Sequence, residues 1–224
     1  MQFKSFLSHI NPLNIIFPSL CNSCECFIDF EEIFCDDCSR NINPIVSHHI
    51  QVTKKYSMTI HALSEYKDPL KPLVLKKFYS DRLGSIQIAK LICEKTCIKN
   101  LEFDYIIPVP LHWTRYAKRG FNQSYEIAKE LSKNLNIPIL DILKRVKITK
   151  YQSGLDSKKR QENVSEAFAI KSKCRDSLRD LIVNKSLLFV DDLFTTGSTL
   201  KNSSKPLLKF NPSKISAVVG CRVV

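Results

Sequence analysis

Apolar positions along the chain recur at two spacings, and the two alternate. Residues 58 to 66, MTIHALSEY, alternate closely enough to predict a strand. Pro69 and Pro72 lie where a following helix could start, with Leu73 to Phe78 as its apolar face. Leu83, Ile86, Ile88, Leu91 and Ile92 then predict the buried side of a helix over Asp81 to Lys95, with Cys93 among them. Phe103 to Pro108 reads as a strand, and a helix follows over Ser124 to Leu135. Ala167 to Ile170 resembles an edge strand, and Cys174 to Asn184 a polar helix or connector. The continuous apolar run Leu187 to Val190 fits a strand covered on both faces of a parallel sheet. A helix to about Phe210 and a last strand over Ile215 to Arg222, with Cys221 buried, complete the order. Strands alternating with helices predict an α/β domain: a parallel sheet with helices on both faces.

With 224 residues, 44% of them hydrophobic and 25% charged, the chain matches a globular protein of one ordinary domain plus a small appendage. The formal charge of +12 asks for an anionic partner, and phosphorylated small molecules, nucleic acid and anionic membrane all qualify. The lysines are scattered from Lys4 to Lys214 without a long basic run, which argues against a dedicated nucleic-acid arm. Nor do aromatics and cations interleave along the sequence as they do in stacking platforms. No segment approaches the roughly eighteen apolar residues of a membrane span, so membrane insertion is not expected. The N-terminal stretch is interrupted by His9, Asn11, Pro12, Asn14 and Pro18 and lacks a signal-type cleavage site, so residues 3 to 16 read as a short amphipathic segment. A cytoplasmic location follows, where nine cysteines suggest metal or free thiols before disulfides.

The cysteines near the N-terminus are regularly spaced. Cys21 and Cys24 form one C-x-x-C pair, Cys35 and Cys38 another, and each pair can present two thiolates to one tetrahedral Zn²⁺. Four sulfurs leave no open position, so the metal would be structural, and its binding would supply most of the folding energy of so small a fragment. Cys26 is a fifth thiol that could stand in for Cys24. Asn43-Pro44 closes the module. The expected division is an N-terminal segment and zinc ribbon over 1–50 and an α/β domain over 51–224. His48 and His49 read as a solvated linker, since neighbours on a strand point to opposite faces and would not share one ion. Cys93 and Cys97, four apart, read as ordinary thiols because nothing near them in sequence completes a site.

Two stretches carry the chemistry. Leu187 to Thr199, LLFVDDLFTTGST, reads as a strand, a loop and a helix start. Thr195, Thr196, Ser198 and Thr199 supply hydroxyls and unpaired backbone N–H groups, while Gly197 lets the backbone approach an anion, so the corner suits a phosphate. Carboxylates repel phosphate, so Asp191 and Asp192 need another partner, and the cis-diol of a sugar can donate to both. The stretch is therefore suited to a ribose 5-phosphate. A Walker B strand would need a GxxxxGK[ST] loop, which is absent. In the second stretch, Pro108 and Pro110 end a strand and fix the loop Pro108-Val109-Pro110-Leu111 at its carboxyl edge, where open α/β sheets bind ligands. Three cations in the five residues from Arg115 to Arg119 follow, and spacing alone leaves a basic surface turn and a functional role equally open.

Leu187 to Thr199 resembles the phosphoribosyl-diphosphate (PRPP) signature of type I phosphoribosyltransferases. That resemblance implies that Asp191 and Asp192 hold the ribose hydroxyls and Thr195 to Thr199 the 5-phosphate. Taken with PVPLHWTRYAKRGFNQS and the cysteine module, the chain resembles the ComF family over residues 15 to 224. These are bacterial phosphoribosyltransferase-like proteins associated with competence and DNA uptake. Arg160 and Asn163 match that family's R-x-x-N-V segment within a polar stretch, 145 to 171, that reads as a loop closing over diphosphate. The resemblance implies PRPP as ligand, Mg²⁺ carried with it, an unidentified acceptor, and catalytic roles for Arg119, Arg160 and Asn163 beside the Pro108 to Leu111 loop. A rival reading is a non-catalytic adaptor that binds single-stranded DNA, or takes PRPP or a nucleotide as a signal, among competence proteins.

Overall fold

The computed structural model describes residues 19–29, 32–71, 82–146, 167–172 and 178–223. The expected amphipathic segment over 3 to 16, the apolar face at Leu73 to Phe78, the side chain of Leu83, and Arg160, Asn163 and Cys174 lie outside the described residues.

In chain order the elements are α1 (Asp36–Arg40), β1 (Ile45–Gln51), β2 (Ser57–Glu65), α2 (Arg82–Lys95), a 3₁₀ turn (Cys97–Asn100), β3 (Tyr105–Pro108), α3 (Trp113–Arg119), α4 (Gln123–Leu135), β4 (Leu143–Arg145), β5 (Phe168–Ile170), α5 (Leu178–Ile182), β6 (Ser186–Phe194), α6 (Ser198–Leu208) and β7 (Lys214–Arg222). The main sheet runs β1-β2-β7-β6-β3, and β4 pairs with β5 in a separate two-stranded ribbon. The pairs β2 with β7, β7 with β6 and β6 with β3 are parallel, while β1 lies antiparallel on the β2 edge.

β6 sits inside the sheet because its sequence tolerates nothing else. Leu187, Leu188, Phe189 and Val190 are all fully buried and alternate between the two faces. Leu188 and Val190 join Ile88 and Ile92 of α2 and Ile127 and Leu131 of α4. Leu187 and Phe189 join Leu178 and Ile182 of α5 and Leu200 and Leu207 of α6 on the other side. Full burial of each such side chain is worth about 1.5–3 kcal/mol, so helices on both faces are a condition of placing this strand. Asp104 fixes the register of β3 on β6: its carboxylate accepts from Ser186 N–H at 2.8 Å and from Lys185 Nζ at 3.0 Å. Those two donors also hold the Asp104 pKa below the ordinary value, the Ser186 N–H first.

Two expectations are corrected. His48 and His49 are not a linker but lie in β1, paired with Ile60 and Thr59 of β2. The His48 ring packs edge-on to Phe194 at 5.6 Å, and His49 Nδ1 lies 3.2 Å from Thr59 Oγ1. Strand pairing and an aromatic neighbour have overridden the polar look of the dipeptide. The cysteine module, in turn, does not lack an apolar core. Ile33, Phe34 and Ile42 are buried and join the cluster under α2, so burial shares its folding with whatever the thiols bind.

Candidate functional site

At the end of β6 the chain turns at Gly197, with φ +73°, into α6. A Cβ there would meet Phe194 Cε2 at 3.0 Å and Ile50 Cδ1 at 3.3 Å, so both the backbone angle and the space select glycine. Thr196 Oγ1 and Ser198 Oγ are 2.9 Å apart, and Ser198 N–H donates to Thr196 Oγ1 at 3.4 Å, which shapes the turn around the start of the helix. The helix gives its N-terminal N–H groups and the positive end of its dipole to this corner.

Asp191 is 7% exposed and accepts at Oδ1 from the Ser124 hydroxyl and from Asp192 N–H, each at 3.0 Å. Burial pushes its carboxyl well above the usual carboxylate range and the Asp192 charge pushes the same way, against those two hydrogen bonds. Burial raises Asp192 too, opposed by the Arg119 guanidinium.

β3 ends at Pro108, and Val109 N–H continues the ladder to Val190 O at 2.9 Å. Asn122 reaches back across the turn to donate to Val109 O at 3.0 Å, tying the loop to the start of α4. The run from Trp113 to Arg119 is a helix, where a basic surface turn is one of the two readings that spacing leaves open. His112 caps it: Thr114 N–H donates to Nδ1 at 3.3 Å, and Thr114 Oγ1 lies 2.9 Å from the same nitrogen. Gly120, with φ +78°, ends the helix. Arg119 Nη1 donates to Gln123 Oε1 at 3.0 Å.

These pieces enclose a cavity of about 210 Å³ at the carboxyl edge of the sheet. Of the residues expected in a site, it gathers Asp191, Asp192, Thr195, Thr199, Val109, Pro110, Leu111 and Arg119. Thr196, Gly197 and Ser198 form the adjoining turn, and Pro108 sits one residue inside the strand, opposite Val190. Arg160 and Asn163 lie outside the described residues.

The wall also includes Arg115, Gln123, Ser124 and Arg145, which the sequence had not singled out as site residues. Arg115 was within reach: once residues 113–119 are a helix, Arg115 and Arg119 are one turn apart on one face. Arg145 gave no local signal, because it comes to the cavity on the β4 ribbon. Burial lowers the Arg145 pKa, the Arg115 charge lowers it further, and Asp191 opposes both. Two guanidiniums that repel one another beside paired acids are an arrangement that an anion with hydroxyl donors would relieve.

A second centre lies in the cysteine module. The sulfurs of Cys21, Cys24, Cys35 and Cys38 all lie within 4.8 Å of one another, with Cys24 and Cys35 at 3.6 Å. Zinc–sulfur bonds of about 2.3 Å in a tetrahedron require sulfurs about 3.8 Å apart, so the set fits a structural zinc ion. Burial works against the Cys21 thiolate, but N–H groups of Cys24, Cys35 and Ser23 outweigh it and bring its pKa to about 6. Cys26 stands outside the four, though its Sγ is 3.4 Å from that of Cys24. Elsewhere, Cys93 and Cys221 are buried, and Cys97 Sγ lies 3.7 Å from His61 Nδ1. Among the described residues no helix is long and apolar enough to cross a membrane.

Fold and site together define an α/β protein with paired acids beside a turn-and-helix corner at the sheet's carboxyl edge, joined to a four-thiol module. No family model matches the chain. Competence protein F of Haemophilus influenzae (strain ATCC 51907 / DSM 11121 / KW20 / Rd) is 30% identical over 214 residues, 91% of this chain and 90% of that protein. The chain belongs to the competence protein F (ComF) family. Competence protein ComFC of Streptococcus pneumoniae is 27% identical over 84% of this chain and 80% of its own length. DNA utilization protein YhgH of Escherichia coli (strain K12) is 25% identical over 72% and 71%. Among solved structures, adenine phosphoribosyltransferase from Saccharomyces cerevisiae matches 84% of this chain and 90% of that one, with TM-score 0.39 and 10% identity. Purine phosphoribosyltransferase from Pyrococcus horikoshii matches 61% and 80%, with TM-score 0.36 and 19% identity. Both are loose likenesses.

Proposed function

We propose that this protein binds PRPP in the 210 Å³ cavity and transfers its 5-phosphoribosyl group to an acceptor, releasing diphosphate. The observation that carries this reading is the meeting, in one cavity, of paired acids, the start of α6 and the Arg115–Arg119 face of α3. Asp191 and Asp192 accept from the ribose 2′- and 3′-hydroxyls, which adds donors to two carboxyls that burial raises. The Thr195 to Thr199 turn holds the 5-phosphate. The Pro108 to Leu111 loop, Arg119, Arg115 and Arg145 face the diphosphate, joined in this reading by Arg160 and Asn163. The bond from the anomeric carbon to the diphosphate oxygen breaks, its electron pair leaves with diphosphate, and the acceptor's lone pair forms the new bond. Cations at the leaving group stabilise the charge that develops there. The donors of the cavity are hard oxygens, which suit Mg²⁺; held mainly on ligand oxygens and water, it neutralises the diphosphate. The four thiols hold a structural zinc ion in a reducing cytoplasm.

A second reading, supported by relatives named for competence and DNA utilization and by the charge of +12, is an adaptor in DNA uptake that binds single-stranded DNA or takes PRPP or a nucleotide as a signal. Calorimetry of the zinc-loaded protein with PRPP and Mg²⁺ separates the two. Saturable binding abolished by Asp191→Ala with Asp192→Ala, followed by diphosphate release with a candidate acceptor, supports transfer. Absence of PRPP binding sinks it. Binding without diphosphate release across a broad acceptor screen favours the signal role, and steep, salt-dependent single-strand affinity untouched by the double variant favours the DNA-binding role.

A further inference from the structure

α3 is a partition between two cavities. Arg115 and Arg119 face the smaller one, while Trp113 and Tyr116, three apart on another face, line a larger one of about 480 Å³. The two share a wall of Pro110, Leu111, Asn122 and Arg145. Phe121 and Tyr125 complete an aromatic lining, and three of its four rings are open: Trp113 is 68%, Tyr116 52% and Tyr125 37% exposed. Large exposed rings around one concavity mark a binding surface, where single exposed residues would not.

The charges around these rings are cationic in balance. Arg82, Lys144, Arg145 and Lys171 face two acids, Glu126 and Asp141. Both acids are engaged, Asp141 with Lys171 at 2.7 Å and Glu126 with Arg82 at 3.9 Å, and Lys144 is exposed beside them. The aromatics and cations that do not interleave along the sequence are brought together here by the fold. The volume suits a molecule larger than a single ring.

We propose that this second cavity binds a nucleotide, its base stacked on the Trp113, Tyr116 and Tyr125 rings and its phosphate at Lys144 and Arg145. It is a separate site from the acceptor's. Its shared wall is the Pro110–Leu111 side, where the diphosphate lies in the transfer reading, and a nucleophile must reach the anomeric carbon from the opposite face. A free nucleotide and a nucleotide of a single strand present the same chemistry.

Trp113 is the one tryptophan of the chain, so its fluorescence reports on this cavity directly. The intact protein is titrated with thymidine 5′-monophosphate, a short oligothymidylate and ribose 5-phosphate. The two base-bearing ligands are expected to quench saturably, and ribose 5-phosphate at equal concentration is not. Tyr116→Ala with Tyr125→Ala, both at exposed positions and checked for fold by circular dichroism, is expected to weaken binding roughly tenfold. Asp191→Asn with Asp192→Asn is expected to leave the quenching unchanged, so the outcome does not depend on whether PRPP binds next door. Affinity that climbs with strand length assigns the site to single strands, and equal affinity per nucleotide assigns it to free nucleotides. Equal quenching by ribose 5-phosphate, affinity indifferent to the tyrosine pair, or fluorescence that responds only to dilution of the protein, as a second copy over Trp113 would produce, overturns the proposal.

Discussion

The Ser124 hydroxyl donates to the Asp191 carboxylate at 3.0 Å across 67 positions of sequence, joining the first turn of α4 to the carboxyl end of β6. It offsets part of the cost of burying a carboxylate against a second acid. Removing it leaves a buried acceptor short of one partner, a loss of about 1–3 kcal/mol. Ser124→Ala is expected to lower the melting temperature at pH 7.5 and to weaken PRPP binding by about tenfold in calorimetry. Asp191→Asn should do the opposite to stability. An acid whose folded pKa is raised contributes fully below its unfolded value, near 4, and loses that contribution as pH rises through the folded value. The asparagine variant escapes that loss, so its advantage in melting temperature should widen as pH rises above about 4 while PRPP binding disappears. A variant less stable than wild type throughout that range would contradict the assignment of Asp191 as a strained site residue.

Gly197 is held at φ +73° with two side chains where a Cβ would go. Gly197→Ala is expected to cost about 1–2 kcal/mol from the backbone angle alone. Thermal melting should register a fall of several degrees. Displacement of the turn should reduce PRPP affinity by more than the stability loss accounts for. Unchanged affinity in a folded variant would remove the turn from the phosphate site.

Cys26 lies beside the four-thiol cluster without belonging to it. Its Sγ stands outside the set of four sulfurs that lie within 4.8 Å of one another, so geometry, not thiol acidity, separates it from the expected ligands. Cys26→Ser is expected to keep one zinc per chain by elemental analysis, whereas Cys24→Ser loses it and lowers the melting temperature. Chelation of the wild type should act as Cys24→Ser does. Retention of metal in Cys24→Ser together with loss in Cys26→Ser would exchange their roles.

Three histidines face acid in the same way. Burial lowers the pKa of His48, His61 and His112, helped by Arg222, by Lys214 and by Arg145 respectively. A histidine held neutral in the fold contributes stability above its unfolded value, near 6.5, and loses it as pH falls toward the lower folded value. The histidine contribution to the denaturant midpoint should therefore decline from pH 7 to pH 5, against the opposite trend from Asp191 and Asp192. His112→Asn, which preserves a side-chain cap for α3 without a titrating ring, should flatten part of that decline. An equally steep decline in the variant would assign the pH dependence to the other groups.

What the sequence determined by itself is chemistry carried by neighbours along the chain. The two C-x-x-C pairs, the Leu187 to Thr199 corner and the Pro108 to Leu111 loop are legible because three or four residues, their spacing and one backbone turn are enough to state what they can hold. Strand and helix order followed from local periodicity for the same reason. Tertiary structure decided whatever depends on a distant partner. His48 and His49 became an edge strand because β2 offered its open side. The cysteine module gained a core because α2 lies beside it. Arg115 to Arg119 lies in a helix that lines two cavities, capped by His112 and closed by Gly120. Ser124 reached Asp191, and Arg145 came to the same cavity on a ribbon. No window of sequence contains these pairings, because burial of the sheet's two apolar faces fixes them, and only the packed layers bring the paired acids, the cations and the open rings to one edge.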